Sequence, residues 1–255
     1  MAAKQVIDLN CDLGEDPSDT GAERDLQLMK WISSANIACG FHAGDQATMI
    51  RAIQMALQNG VAIGAHPSYD DRNNFGQVVM DLSPDEVEDV VRRQLETFSE
   101  LVNAQGAVLT HVKPHGALYN QAAKDGEIAN AVAKTVREFS SELLLYGLSG
   151  SELICAGRRH GLRVVQEVFA DRRYQRNGRL LSRSQPGAVI KRSDDALLQV
   201  RRMLLEGVVQ TACEYTIPIQ ADTICVHGDG EDAASLAQGI GYLCEQLQVV
   251  VRPIE

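Results

Sequence analysis

Short apolar runs of Val, Ile and Ala recur along the whole chain, each followed by a stretch whose apolar residues repeat with helical spacing. No other feature constrains the fold as strongly. A strand reaches a parallel neighbour only through a long crossover, and a helix is the usual one. Seven runs qualify as strands: Val6–Asn10, Asn36–Ala38, Val61–Ala65, Ala107–Val112, Leu143–Tyr146, Arg163–Phe169 and Thr223–Val226. The helices between them carry recognisable ends. Ser83-Pro84-Asp85-Glu86 combines an N-cap serine, a proline at the first helical position and a reciprocal glutamate; apolar residues from Val87 to Leu101 then follow at helical spacing, and the helix stops at Gly106. Ser193-Asp194-Asp195 opens a second helix that runs to Gly207, and Ile50, Ile53 and Leu57 mark a third that stops near Gly60. With no linker or low-complexity segment between units, residues 1–255 read as one α/β domain, a seven-stranded (β/α) barrel. An open doubly wound sheet and an eighth strand remain alternatives.

The balance of 24 Lys+Arg against 34 Asp+Glu, a net charge of −10, would repel a polyphosphate backbone, so nucleic acid is not an expected partner. The opening residues show no cleavage-type signal, and no window approaches the roughly 18 apolar residues that a membrane span needs, so no membrane partner and a cytoplasmic location are expected. Six cysteines, with no C-x-x-C pair, fit reduced and mostly buried thiols. Cys11 and Cys39, each beside a polar cluster at a strand end, are the two with any prospect of reactivity.

Polar residues gather where the strands end. His42, His66, His111, His115 and His227 each sit at or just beyond the carboxyl end of an expected strand, the rim on which active sites of parallel α/β folds form. His160, at the end of a helix, fits a structural role beside the helix dipole. In Asp8-Leu9-Asn10-Cys11-Asp12 the period of two puts Asp8, Asn10 and Asp12 on one face, where they must be solvated, bridged by a cation or poised for proton transfer. His111-Val112-Lys113-Pro114-His115-Gly116 can hold an anion or a carbonyl oxygen, and Asp171, Arg173, Arg183 and Gln185 stand among donors suited to a carboxylate or phosphoryl group. Asp12, His42 and His66 could also form an open metal site. No phosphate loop, dinucleotide fingerprint or nucleophile elbow occurs, so a bound nucleotide would need an unconventional site.

The longest of these motifs resemble the LamB/YcsF family. They are Asp8 to Glu15, Ser33 to Asp45, Gly64-Ala65-His66-Pro67, His111 to Tyr119, Glu167 to Arg172, Arg183 to Ala188 and Cys225-Val226-His227-Gly228-Asp229. Asp16–Asp25 is shorter than the family pattern, and Gly230-Glu231-Asp232 replaces a Thr-Pro continuation. The resemblance implies a barrel of the glycoside hydrolase and deacetylase type. It implies ATP-dependent hydrolysis of 5-oxo-L-proline to L-glutamate, with ATP and Mg2+ as co-substrate and with two partner subunits, B and C. Asp8, Asn10, Asp12, His42, His66, Lys113 and His115 are then the catalytic candidates, and Asp45, Asp171, Arg173, Arg183, Gln185, His227 and Asp229 the substrate- and phosphate-binding ones. Within that scheme Asp12 or Asp8 orients the attacking water, Lys113, Arg173 and Arg183 steady anionic charge, and the histidines donate to an oxyanion or share a metal. A metal-dependent amidase that uses no ATP, or a non-catalytic protein that only binds 5-oxoproline, would carry the same motifs.

Overall fold

The computed structural model describes residues 5–227 and 232–255. In chain order the elements are β1 (Val6–Leu13), α1 (Asp19–Met29), β2 (Ser34–Ala38), α2 (Gln46–Asn59), β3 (Ala62–His66), α3 (Pro84–Ala104), β4 (Leu109–Val112), α4 (Gly116–Ala122), α5 (Gly126–Phe139), β5 (Leu144–Leu148), α6 (Glu152–Arg159) and β6 (Arg163–Phe169). There follow α7 (Ser193–Glu206), β7 (Val208–Gln210), β8 (Thr216–Pro218), β9 (Thr223–Val226), α8 (Ala233–Gln246) and β10 (Val250–Val251). Each strand from β1 to β6 pairs in parallel with the next; β6 then pairs with β9, and β9 with β1, which closes a barrel of seven strands. That closure excludes the open sheet. β10 is no eighth stave: it pairs with Val6 and Ile7, below Asn10, where β2 first joins β1. The β7–β8 antiparallel hairpin interrupts the last unit. No helix among the described residues is long and apolar enough to cross a membrane.

Helix α3 shows how the outer layer is held. Ser83 accepts from the Glu86 amide while Glu86 accepts from the Ser83 amide, so both capping donors are satisfied. Val87, Val91, Leu95, Phe98 and Val102 are fully buried against the barrel, each contributing about 1.5–3 kcal/mol. Gln94 interrupts this apolar stripe to grip the backbone of Ser68, accepting from its N–H and donating to its C=O, so the helix also fixes the loop after β3.

The barrel interior is polar and layered, and it corrects two of the sequence expectations. Asp8, Asn10 and Asp12 do share the inward face of β1, as the strand period requires, but they lie at three depths. Asp8 is fully buried at the floor, where its carboxylate accepts from Ser33 (2.6 Å), Ser34 (2.7 Å), Tyr146 (3.0 Å) and Thr223 (2.6 Å). Burial raises its pKa despite these four donors. With its acceptors filled and no exposure, Asp8 cannot orient a substrate water. His111 likewise fills the interior instead of the rim: it bonds Asn36 and Thr110, stacks on Tyr146 with ring centroids 4.4 Å apart, and is pushed down to about 3 by burial. Its ring fits because Gly64 is its register partner on β3, where a Cβ would collide with the imidazole. Asn10 bonds Thr223 and Asn36 in this middle layer and accepts from Lys113 above it.

Candidate active site

The carboxyl ends of five strands supply the rim. Asp12 closes the inward column of β1, and Gly14, with φ of +70°, turns the chain so that Glu15 also faces in. His66 is the last residue of β3, Lys113 and His115 follow β4, Arg172 follows β6 and His227 follows β9. These residues line one cleft together with Phe75, Tyr119, Phe169 and Arg183. His42, from the loop after β2, packs behind it.

Three imidazoles and two carboxylates meet at one side of the cleft. His42 and His115 stack with centroids 3.8 Å apart, and His66 stands edge-on to both. His66 Nε2 lies 3.0 Å from His115 Nδ1 and 3.3 Å from an Asp12 oxygen. Glu15 Oε1 lies 3.4 Å from His42 Nε2 and 3.8 Å from His115 Nδ1. The outer nitrogens of two rings are committed to backbone: His66 Nδ1 to the Lys113 carbonyl at 2.7 Å, and His115 Nε2 to the Phe75 carbonyl at 2.9 Å. A carbonyl can only accept, so these nitrogens carry the ring protons, although the Gln77 amide also lies 3.3 Å from His115 Nε2. The nitrogens that face into the cluster are therefore His66 Nε2 and His115 Nδ1. Burial pushes His42 down to about 2 and His115 well below the usual range. Phe75, whose ring packs on His42 and His115, holds a left-handed φ of 55°, unusual for a bulky residue outside a functional site.

Lys113 is a counter-ion, not a free phosphate ligand. Its ammonium, 2% exposed, contacts Asp12 at 2.8 Å and Glu167 at 2.9 Å, and also donates to Asn10. Burial opposes its charge, but Asp12 and Glu167 hold its pKa well above the ordinary value. Burial also disfavours the Asp12 carboxylate, which His66 and Lys113 nonetheless keep well below its usual range. Glu167 escapes a reading of the sequence because it sits inside a continuous apolar strand, fully buried.

Across the cleft, His227 Nδ1 lies 2.8 and 2.9 Å from the two oxygens of Asp171, and its ring stacks on Phe169. Burial works against the Asp171 carboxylate, and His227 holds its pKa down. With Nδ1 committed, Nε2 is the nitrogen that can exchange a proton. Arg172 reaches this cleft and Arg173 does not, because successive residues of extended chain face opposite ways. Arg172 is 5% exposed, donates to the Leu181 carbonyl, and keeps a buried Nε–H without a hydrogen-bond partner among the described residues. Arg183 also lines the cleft. Asp45 instead caps α2 by accepting from the Thr48 amide, and Gln185 is exposed outside the cleft lining. Asp229 lies outside the described residues. Cys11 and Cys39 are buried with their thiols pushed up, Cys39 to about 12, which suits packing and not attack. His160 caps α6 and bonds Asn130, as its place at a helix end suggests.

A closed parallel barrel whose carboxyl rim collects imidazoles, carboxylates and a half-satisfied guanidinium around a small cleft defines a β/α-barrel protein with a rim site for a small polar ligand. The chain belongs to the LamB/YcsF family, whose model matches residues 7–255. A protein of Brevibacillus brevis, named as the A subunit of 5-oxoprolinase, is 49% identical over 236 residues, covering 92% of this chain and 93% of its own. The crystal structure of the lactam utilization protein from Thermus thermophilus matches with a TM-score of 0.91 at 40% identity, over 98% of this chain and 100% of that one. A family 4 carbohydrate esterase from Streptomyces lividans, at 10% identity and a TM-score of 0.51 over 100% of this chain and 95% of its own, shares the fold alone.

Proposed function

We propose that this chain is the lactam-binding and ring-opening component of an ATP-dependent 5-oxoprolinase, working with subunits B and C to convert 5-oxo-L-proline, ATP and two waters into L-glutamate, ADP and phosphate. The observation that carries this reading is the pairing, in one small cleft, of a buried guanidinium that keeps a spare donor, Arg172, with a histidine held by a carboxylate, His227–Asp171. The relatives named for 5-oxoprolinase and lactam utilization support it.

Arg172, with Arg183, suits the substrate carboxylate, which leaves the lactam ring facing the imidazole cluster. A lactam is a resonance-stabilised amide and a poor electrophile, so activation comes from phosphorylation of its oxygen by ATP. His227 Nε2 then takes a proton from the attacking water, with Asp171 orienting the ring as in other carboxylate–imidazole pairs. Attack at the ring carbon followed by cleavage of the C–N bond, with a proton delivered to nitrogen, leaves the γ-carboxyl as an acyl phosphate, and the second water then displaces phosphate to give glutamate. The buried Lys113–Asp12–Glu167 group holds the strand ends in register beneath these events.

Glutamate release from 5-oxoproline by the full chain, with and without subunits B and C and with and without ATP, tests the reading. Release is expected only with the partners and ATP together. Release by the chain without ATP would instead favour simple amide hydrolysis. Substrate binding with no loss of turnover in Asp12→Asn and Asp171→Asn complexes would reduce the chain to a carrier.

A further inference from the structure

We propose that Glu15, His42, His66 and His115 form a binding site for one divalent first-row transition-metal ion of the zinc class, at the side of the cleft. One ligand atom from each lies within 4.8 Å of all the others. The closest approaches, 3.0 Å between His66 and His115, 3.4 Å between His42 and Glu15, and 3.8 Å between His115 and Glu15, are near those that ligands about 2.1 Å from a shared ion adopt.

The ring protons carry the case further. His66 and His115 each give their outer N–H to a backbone carbonyl, so the inner nitrogens that meet at 3.0 Å need either a second proton or a metal ion between them. Donation of the outer N–H to a carbonyl is also the arrangement that orients imidazole ligands around metals. A second proton on His66 would relieve that contact and would suit Asp12. It would not account for His42, which is 1% exposed and has no hydrogen-bond partner on either ring nitrogen among the described residues. An ion held by all four residues accounts for both. Three imidazoles with one carboxylate favour a borderline ion over Mg2+ or Ca2+, which prefer oxygen ligands.

This donor set differs from Asp12, His42 and His66, the trio suggested by the sequence. Asp12 is committed to Lys113 and Asn36 through Oδ1 and contacts His66 through Oδ2. Because Glu15, His66 and His115 also line the cleft, the ion would face the ligand bound there. The proposal does not depend on the identity of that ligand.

Untagged full-length protein, stripped with chelator and titrated with Zn2+ by calorimetry, is expected to take up one ion per chain, with excess Mg2+ failing to compete. His42→Gln and Glu15→Gln are each expected to weaken zinc binding by more than about 100-fold, while His160→Gln, outside the cluster, leaves it unchanged. Glu15→Gln serves where His42→Gln fails to fold. Absence of saturable zinc uptake, or uptake undiminished by both substitutions, would overturn the proposal.

Discussion

Two buried polar regions share the inside of this barrel, one at its floor and one at its rim, and they differ in how their bonding capacity is used. At the floor every oxygen of Asp8 is taken: two hydroxyls bond one carboxylate oxygen and two bond the other. At the rim a buried histidine has no hydrogen-bond partner among the described residues, and a buried guanidinium holds a spare N–H. Burying a polar group costs free energy unless it is paired, so the floor is a finished structural unit and the rim carries valence reserved for a ligand. Burial of charge is common to both regions. Unspent bonding capacity is what separates them.

The residue that joins the two regions should give the largest effect. Lys113 donates to Asn10 below and pairs with Asp12 and Glu167 above, so Lys113→Met strands two buried carboxylates and is expected to cost about 3–5 kcal/mol in chemical denaturation. A loss below about 1 kcal/mol would show that the two layers are independent. Next comes Asp171→Asn, which frees the His227 ring from its orienting carboxylate; turnover of the reconstituted complex should fall by about 100-fold or more, with the unfolding midpoint little changed. Asp8→Asn should do the reverse, costing about 1–3 kcal/mol of stability through mispaired hydroxyls at the floor.

The smallest effect concerns the support behind the rim. Asp25 accepts from the Gly14 amide, next to the turn that aims Glu15, and burial pushes its pKa up to about 6. Its folded pKa exceeds the unfolded one, so between about pH 4 and 6 the native state holds a proton that the unfolded chain has lost, and stability falls as pH rises through that window. Asp25→Asn should flatten this slope by about 1 kcal/mol per pH unit, read from denaturation midpoints across the same range.

The difference between floor and rim also marks what is legible in the sequence. Strand periodicity locates the barrel, with β6 and β9 bounded as read, and it places Asp8, Asn10 and Asp12 on one face. A period of two reports the face and not the depth, so Asp8 and His111 look like rim residues until the register sets their level. Glu15 follows a turn at Gly14 that breaks the alternation, and Arg172 and Arg173 differ only in which way one residue of extended chain points. Glu167 is hidden in an apolar run because its partner, Lys113, comes from a strand far away in sequence. β10 and the β7–β8 hairpin are only two or three residues per strand, too short for a periodic signal.

Glutamate release from 5-oxoproline by reconstituted complexes carrying His66→Gln or Asp8→Asn, each first shown to be folded, tests the division between rim and floor most directly. His66→Gln is expected to lose at least about 100-fold in turnover and Asp8→Asn to stay within a few-fold of the parent. Equal losses in the two variants, or the larger loss in Asp8→Asn, would contradict it.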